Sequence, residues 1–223
     1  HETVALAFAL TEEAIEDNLY DTLSSRYTRA LARSMSTTKQ VKAANVLNNA
    51  FSSSFVGGDG KELCATDHPT VGAGDLRNEL ATAADLNETS LEQALIDIAD
   101  FKDERGLKVN AQAVRLIIPP ALQFVADRLM ESQGRVGTSD NDINAIRNLG
   151  MISGGYTVNN YLTDTDAFFI KTDVPNGLKH FVRTPVSTSM EGDFETGNVR
   201  YKARERYSFG FSDWRGLFGS PGA

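Results

Sequence analysis

Apolar and other residues alternate over the first ten positions of the chain. Val4, Leu6, Phe8 and Leu10 fall on one side of an extended segment, and small or polar residues fall on the other. A period of two is typical of a β-strand with one buried face. The pattern therefore predicts a strand over residues 3–10.

The apolar spacing becomes nearly helical directly after this strand. Thr11 stands in an N-cap position and is followed by acidic residues, which the positive end of a helix dipole favours. Neither Gly nor Pro occurs before Gly57. We therefore expect one helix over about residues 12–50, weakest at residues 34–38, where Ser and Thr side chains compete for backbone hydrogen bonds.

This predicted helix is long for the size of the chain. About 39 residues rise by roughly 58 Å, whereas a compact protein of this length has a diameter of about 45 Å. Two arrangements are open. Either other subunits cover the overhanging part of the helix, or the helix breaks near Ser36.

The remaining pattern predicts shorter helices and a mixed sheet. A capping box at residues 89–92 begins a second helix that Gly106 ends, and Pro119-Pro120 separates a buried strand from a third helix that ends at Gly134. A short helix runs through Ile143 to Gly150. Strands are predicted at residues 115–118, 156–162, 167–172, 178–184 and 198–211. The fold class is therefore α+β.

The last strand alternates between basic and apolar residues. Its basic ladder consists of Arg200, Lys202, Arg204 and Arg206, and its aromatic residues lie on the opposite face. A groove for single-stranded nucleic acid combines basic residues with aromatic residues that stack on bases, which this separation prevents. We therefore expect the ladder to be solvated or to face another subunit.

Glu205 interrupts the apolar face of the same strand, between Ala203 and Tyr207. Burying a carboxylate is costly unless it is paired. Either the strand edge is open and Glu205 is solvated, or Glu205 pairs with an arginine of the long helix. The candidate partners are Arg26, Arg29 and Arg33.

Composition excludes several classes of protein. The chain has 223 residues, one cysteine and a net charge of −8. About 46% of the residues are apolar when glycine is included, as in globular proteins, and no apolar run reaches the roughly 20 residues of a membrane helix. A single cysteine forms no internal disulfide, and the acidic balance is atypical of nucleic-acid-binding proteins. Because the chain starts at His1, without Met or a signal-peptide pattern, we expect a processed or truncated start.

Searches for catalytic and ligand-binding motifs yield only near misses. In residues 150–154 the serine stands one place too late for a nucleophile elbow, so a glycine turn is expected. Residues 140–144 resemble the start of a calcium loop but lack its later Gly and Glu, and capping of the short helix by Ser139 or Asp140 explains them better. Cys64 and His68 are expected to be bystanders rather than metal ligands. The sequence predicts no cofactor, no metal and no catalytic centre.

The order of elements, together with three segments, resembles a known family. The segments are residues 8–14, which lead into the long helix, residues 115–121, and the terminal strand at residues 199–211. The chain resembles the major capsid proteins of tailed bacteriophages, which have the Hong Kong 97-type (HK97-like) shell fold. The resemblance covers essentially the whole chain.

The resemblance implies a domain arrangement. Residues 1–11 would be the returning strand of an extended loop, and residues 12–108 would form the spine helix and much of the peripheral domain. Residues 109–193 would form an axial domain of mixed sheet plus helices. Residues 194–223 would return to the peripheral domain as its terminal strand. In this arrangement, neighbouring subunits cover the long helix.

The resemblance also implies a structural function. The protein would be a major capsid (head) protein that self-assembles, through pentamers and hexamers, into an icosahedral shell around packaged double-stranded DNA. It would be a virion component assembled in the host cytoplasm, with scaffold, portal and decoration proteins as further partners and with no membrane or cofactor. Glu205, the ladder and the helix arginines would serve subunit interfaces or structural pairing. An encapsulin-type compartment is the alternative, and a small acidic hydrolase is a remote one.

Overall fold

The computed structural model describes residues 1–17, 20–135 and 142–223, without the side chains of residues 20–22. The chain divides into two compact units, each made of two separate stretches. Unit 1 comprises His1–Ala43 and His180–Gly210, and unit 2 comprises Ala44–Lys179 and Phe211–Ala223. The chain therefore leaves unit 1 and returns to it once before ending in unit 2.

Helices and strands alternate in the mixed manner that the sequence predicts. The helices of the described residues are α1 (Glu12–Glu16), α2 (Tyr20–Asn48), α3 (Glu88–Ala99), α4 (Gln123–Glu131) and α5 (Ala145–Leu149). The strands are β1 (Glu2–Leu10), β2 (Ala113–Ile118), β3 (Tyr156–Val158), β4 (Phe168–Thr172), β5 (Leu178–Gly192), β6 (Val199–Phe211) and β7 (Leu217–Ser220). Short 3₁₀ turns lie at Pro120–Leu122 and Trp214–Gly216. The α+β prediction is confirmed.

Unit 1 is built on a three-stranded sheet in the order β1–β6–β5. β1 and β6 are antiparallel, and Val4 lies opposite Glu205 in their register. On one side of the sheet, Leu31 and Met35 of α2 pack against Ala203 and contact Val4 and Phe8. Even-numbered residues of β1 and odd-numbered residues of β6 therefore share the side that faces α2.

The prediction of one helix over residues 12–50 is wrong. The first part is the separate helix α1, in which the Thr11 hydroxyl accepts a hydrogen bond from the Ala14 N–H. α2 then continues through residues 34–38, where a break was one of the alternatives. The Thr38 hydroxyl donates to the Ser34 carbonyl at 2.9 Å, so it bonds along the helix instead of competing with it. With 29 residues, α2 is about 43 Å long.

Unit 2 contains a four-stranded mixed sheet in the order β3–β2–β4–β7. β2 is parallel to β3 and antiparallel to β4, and β4 is antiparallel to β7. Phe168 and Ile170 of β4 belong to the larger core, which includes Leu91 of α3, while Phe169 belongs to a second core with Leu47 of α2. Since successive strand residues point to opposite faces, the two cores cover both faces of β4.

Several predicted boundaries in unit 2 need correction. The capping box of α3 is formed by Asn87 and Ser90, with the Ser90 N–H donating to the Asn87 side chain at 2.8 Å, and not by residues 89–92. α3 ends at Ala99 rather than near Gly106 because Asp100 is its C-cap. β3 stops at Val158, four residues earlier than predicted, and β7 lacked any prediction.

The first turn of α5 also differs from the prediction. Its N-cap is Asn144, whose side chain accepts a hydrogen bond from the Arg147 N–H at 3.2 Å. Ile143 therefore lies before the helix. The predicted caps, Ser139 and Asp140, lie outside the described residues. Of the helices in the described ranges, none combines the length and the apolar character needed to span a membrane.

Candidate functional site

A buried ion pair joins α2 to β6 within unit 1. Glu205 is only 2% exposed, and its Oε2 accepts a hydrogen bond from Nζ of Lys39 at 2.9 Å. The Lys39 side chain is 32% exposed, so it extends from the carboxylate to solvent along its methylene stem. Of the two alternatives for Glu205, the structure therefore shows a buried, paired carboxylate.

The partner is not one of the expected arginines. Arg26, Arg29 and Arg33 are all exposed on α2. The reason is helix geometry, because Lys39 follows Met35 by four residues and so continues the stripe that faces the sheet. The four residues from Met35 to Lys39 advance by about 6 Å along the helix, close to the roughly 6.8 Å between Ala203 and Glu205 along β6.

Tyr207 lies beside this ion pair. The residue is fully buried, and Nζ of Lys39 lies 5.0 Å from the centre of its ring, within the range of a cation–π contact. Burial raises the pKa of the Tyr207 hydroxyl, and the charge of Glu205 raises it further. Among the described residues, this hydroxyl has no hydrogen-bond partner. The environment therefore keeps the hydroxyl protonated.

The opposite face of β6 carries the basic ladder. Arg200, Lys202 and Arg204 are exposed, and Arg206 is half-buried. In the described parts of the chain, only Arg200 has an acidic partner, with one guanidinium nitrogen 2.5 Å from Oδ2 of Asp193. Nε of Arg206 is buried without a partner in the same range. Contacts of the other three side chains with acidic groups of a neighbouring subunit remain a prediction.

In unit 2, the buried side chain of Asn78 connects two distant parts of the chain. Its Nδ2 donates to the carbonyl oxygens of Leu63, Trp214 and Leu217 at 2.7, 3.0 and 2.9 Å. Its Oδ1 accepts a hydrogen bond from the Ala65 N–H at 3.0 Å. One amide group therefore links the Trp214–Gly216 turn and the start of β7 to the loop that follows α2.

His68 extends this network. Its Nε2 lies 3.0 Å from Oδ1 of Asn78, and its Nδ1 lies 2.6 Å from Oδ2 of Asp59. The ring also stacks on Trp214, with centroids 4.3 Å apart and an angle of 4° between the planes. The guanidinium of Arg215 lies 4.2 Å from the centre of the same Trp214 ring. These contacts use both ring nitrogens and give His68 a structural role.

Cys64 and His68 do not form a metal site with nearby acids. Within the described ranges, no cluster of three or more His, Cys, Asp or Glu side chains could hold a metal ion. Cys64 is a buried thiol, and burial raises its pKa well above the usual value. A protonated thiol is a poor nucleophile and a poor metal ligand.

Glu79 is a carboxyl group whose pKa is strongly raised. Partial burial raises its pKa to about 7, and the nearby charge of Glu62 contributes to the shift. Glu79 pairs with Gly219 of β7 in a short parallel bridge. The protonation of Glu79 therefore changes near neutral pH at the edge of the sheet.

An apolar groove lies between α3 and α5 in unit 2. Its volume is about 480 Å³, and Leu95, Ile96, Leu149 and Met151 supply most of its apolar lining. Ile96 and Leu149 are largely exposed. The groove has the size of a small-molecule site. Its charged lining residues are Glu92, Asp100 and Lys108. Asp100 and Lys108 pair with each other, so these two charges already have a partner within the protein.

The serine of the near-elbow lies in the expected glycine turn. Gly150 ends α5 in a left-handed conformation with φ of 59°. A Cβ atom on Gly154 would lie 2.7 Å from the Val114 carbonyl oxygen, so the chain passes too close there for any other residue. The turn between helix and strand is confirmed.

The long helix packed on the sheet of unit 1 and the four-stranded mixed sheet of unit 2 form the HK97-like shell fold. A family model described as phage capsid protein matches residues 2–219, and the chain belongs to this family. No curated protein is significantly similar in sequence.

Solved structures share this fold at low sequence identity. A chain of mycobacterium phage Che8 is 14% identical with a TM-score of 0.56, and the match covers 100% of this chain and 72% of that one. The capsid of cyanophage P-SCSP1u is 13% identical with a TM-score of 0.57, and the match covers 100% of this chain and 72% of that one. A virus-like particle from Pyrococcus furiosus is 14% identical with a TM-score of 0.52, and the match covers 98% of this chain and 76% of that one.

Sequence reasoning missed several of the groups described above. The role of Lys39 could have been found from the four-residue spacing of Leu31, Met35 and Lys39, which marks one side of a helix. Asn78 and Asp59 lie in irregular segments with no periodic signal. Their roles depend on contacts with residues far away in the sequence.

Proposed function

We propose that this protein is the major capsid (head) protein of a tailed bacteriophage, and that its copies self-assemble into an icosahedral shell around packaged double-stranded DNA. Membership of the phage capsid family over residues 2–219 carries this proposal. The fold similarity to the capsid of phage XM1, with a TM-score of 0.54, supports it. The protein is then a component of the virion.

The proposal includes the predicted domain roles and partners. Residues 109–193 form the axial domain at the centres of pentamers and hexamers, and residues 12–108 and 194–223 form the peripheral domain. Scaffold, portal and decoration proteins are further partners, assembly takes place in the host cytoplasm, and DNA is enclosed without sequence preference. Cryo-electron microscopy of particles tests the domain roles, because residues 109–193 must then surround the fivefold axes.

Electron microscopy of the purified protein tests the shell function. We expect closed particles with icosahedral symmetry, since identical copies close into point-group assemblies. Protein that stays monomeric over the whole range of salt and protein concentration would contradict the proposal. The role is structural, so a hydrolase activity that follows the purified protein and disappears on one polar substitution would also contradict it.

An encapsulin-type compartment is the second candidate function. The fold similarity to the Pyrococcus furiosus virus-like particle supports this candidate. Both candidates give closed shells, so the contents of particles isolated from the native source distinguish them. Nuclease-protected DNA supports the phage capsid, and enclosed enzymes without DNA support the compartment.

A further inference from the structure

The side of the unit 1 sheet that faces away from α2 is basic and open. Lys202, Arg204 and Arg206 of β6 lie on it. Among the described residues the ion pair of the ladder is that of Arg200 with Asp193, and Nε of Arg206 is buried without a hydrogen-bond partner. Arg183 of β5 lies on the same side, because His180, three residues earlier, stacks on Phe209 on the side that faces α2, and strand residues three apart point to opposite faces. We name these four residues the basic face.

A row of small residues borders the basic face. Ala5, Ala7 and Ala9 are exposed, and the register places them opposite Arg204, Lys202 and Arg200. Alanine is depleted in strands, so three exposed alanines in one strand are unusual. Their short side chains leave a flat shelf on which another backbone element can lie close to the arginines.

The acidic side chains of α1 complement this surface. Glu12, Glu13, Glu16 and Asp17 are exposed and form no ion pair with another described residue. They form two acidic pairs four residues apart, which corresponds to about 6 Å along a helix. Basic residues of the ladder repeat every two residues, or about 6.8 Å along the strand. Two successive basic residues can therefore meet two successive acidic pairs.

The α1 helix of the same copy is poorly placed for these contacts. Leu10 lies opposite Val199 and Thr3 lies opposite Arg206, so β1 enters α1 at the Arg200 end of the ladder. The row of Lys202 lies three positions from the row of Leu10, or about 10 Å along the strand. Of the ladder, only Arg200 has an acidic partner among the described residues of the same copy, and a second copy of the chain can supply acidic groups to the other three side chains.

We propose that the basic face binds the acidic helix α1 of a second copy of this chain. This inference rests on the proposed shell function and names one contact between its subunits. DNA is the other polyanion, but the net charge of −8 disfavours it. Each subunit offers one basic face and one acidic helix, so the contact is head-to-tail and propagates around a ring.

Charge reversal in two variants tests the contact. Glu13→Lys/Glu16→Lys/Asp17→Lys leaves Glu12 as the remaining acid of α1 and makes the helix basic. Arg183→Glu/Lys202→Glu/Arg204→Glu leaves Arg206 as the remaining base and makes the basic face acidic. All six positions are exposed, so both variants keep their melting temperature. Each variant alone then carries like charges on both contact surfaces, and we expect its critical assembly concentration to rise by at least about tenfold, which is 1.4 kcal/mol. Sedimentation velocity and light scattering measure that concentration.

An equimolar mixture of the two variants gives the decisive result. The basic α1 of the first variant then faces the acidic sheet of the second, and the native α1 of the second faces the native basic face of the first. We expect pairwise association in the mixture to return to within about threefold of wild type, as pairs and even-membered rings. Closed shells are not expected from the mixture, because a five-membered ring cannot alternate two variants. A mixture that stays dissociated overturns the proposal.

Further measurements distinguish the contact from a general effect of net charge and from DNA binding. Arg105→Glu/Arg128→Glu/Arg147→Glu changes net charge as the basic-face variant does, at exposed sites of unit 2. Equal loss of assembly in this control overturns the proposal.

Normal assembly of Arg183→Glu/Lys202→Glu/Arg204→Glu with lost affinity for double-stranded DNA also overturns the proposal and assigns the face to DNA. If the wild type forms shells and the variants assemble as well as the wild type, only this contact is refuted. If the wild type itself stays monomeric, the shell function is refuted as well. If a reversal variant does not fold, Glu13→Gln/Glu16→Gln and Lys202→Gln/Arg204→Gln must weaken assembly instead.

Discussion

Nζ of Lys39 lies 2.9 Å from Oε2 of Glu205, and of these two charged groups only the lysine reaches solvent. The pair is therefore asymmetric. A lysine that loses its partner can turn its ammonium group towards water, whereas a glutamate that loses its partner stays buried between α2 and β6. The two residues make different contributions to stability although they form one contact.

Lys39→Met is expected to destabilise unit 1 more than Glu205→Gln. Removing the lysine leaves a buried carboxylate without a partner, which costs about 3–5 kcal/mol. Removing the negative charge costs about 1–2 kcal/mol, because the remaining lysine is partly solvated. Urea denaturation of dissociated subunits measures both values. Lys42→Met is the control, since its pair with Glu2 is exposed and an exposed pair contributes little to stability. Equal losses for the first two variants would contradict the asymmetry.

Stability is expected to fall as the pH rises towards and through neutrality, and Glu79 is the cause. Its pKa in the folded protein is about 7, whereas a glutamate in an unfolded chain has a pKa of about 4.3. Between these values the folded state binds more protons than the unfolded state, so the free energy of unfolding decreases with pH. Thermal melting between pH 5 and 8 measures the slope.

Two variants assign that slope to Glu79. Glu79→Gln removes the titrating group and is expected to flatten the melting profile. Glu62→Gln removes the neighbouring charge and is expected to reduce the slope only partly, because burial is the larger cause of the shift. Glu131→Gln, at an exposed position of α4, serves as the control. A wild-type slope in Glu79→Gln would show that another group is responsible.

Asn78→Ala is expected to lower the melting temperature by about 6–12 °C. The substitution leaves three carbonyl groups and the Ala65 N–H without their partner. Each unsatisfied buried group costs about 1–3 kcal/mol, and water entering the space left by the side chain offsets part of the total. About 3 kcal/mol corresponds to the stated shift in a chain of this size. Gln123→Ala, on the exposed side of α4, should change the melting temperature by less than about 2 °C.

Ser36→Pro tests the continuity of α2. A proline in a helix interior removes one hydrogen bond and clashes with the preceding turn, at a cost of about 3 kcal/mol or more. Ser36→Ala at the same exposed position is expected to be neutral or slightly stabilising, because alanine has a high helix propensity. Circular dichroism and denaturation of both variants measure the effect. A proline variant as stable as the alanine variant would place a flexible point at residue 36.

Strong local patterns were sufficient to predict most of the framework. The alternation over residues 3–10, the buried strand before Pro119 and the basic ladder of β6 all appear where the sequence placed them. Each is defined by a period of two or by a proline, and these signals act within a few residues. The family resemblance is also confirmed.

Features that depend on long-range contacts were not predictable in the same way. The division between α1 and α2 follows Asp17, a residue of low helix propensity, but no glycine or proline marks it. β7 has only four residues and includes Gly219, so its alternation is too short to recognise. The partners of Asn78 lie up to 139 positions away, and no sequence period reports such a distance.

The pairing of β1 with β6 determines when unit 1 can be completed. Glu2 lies opposite Tyr207, 205 positions later in the chain, and closing so long a loop before other contacts exist is entropically costly. β1 leaves the ribosome early and must wait for β6, while the sheet strands β2, β3 and β4 of unit 2 are synthesised in between. A chain released before residue 199 therefore lacks the strand that buries Leu31 and Met35, and the apolar face of α2 stays exposed to solvent.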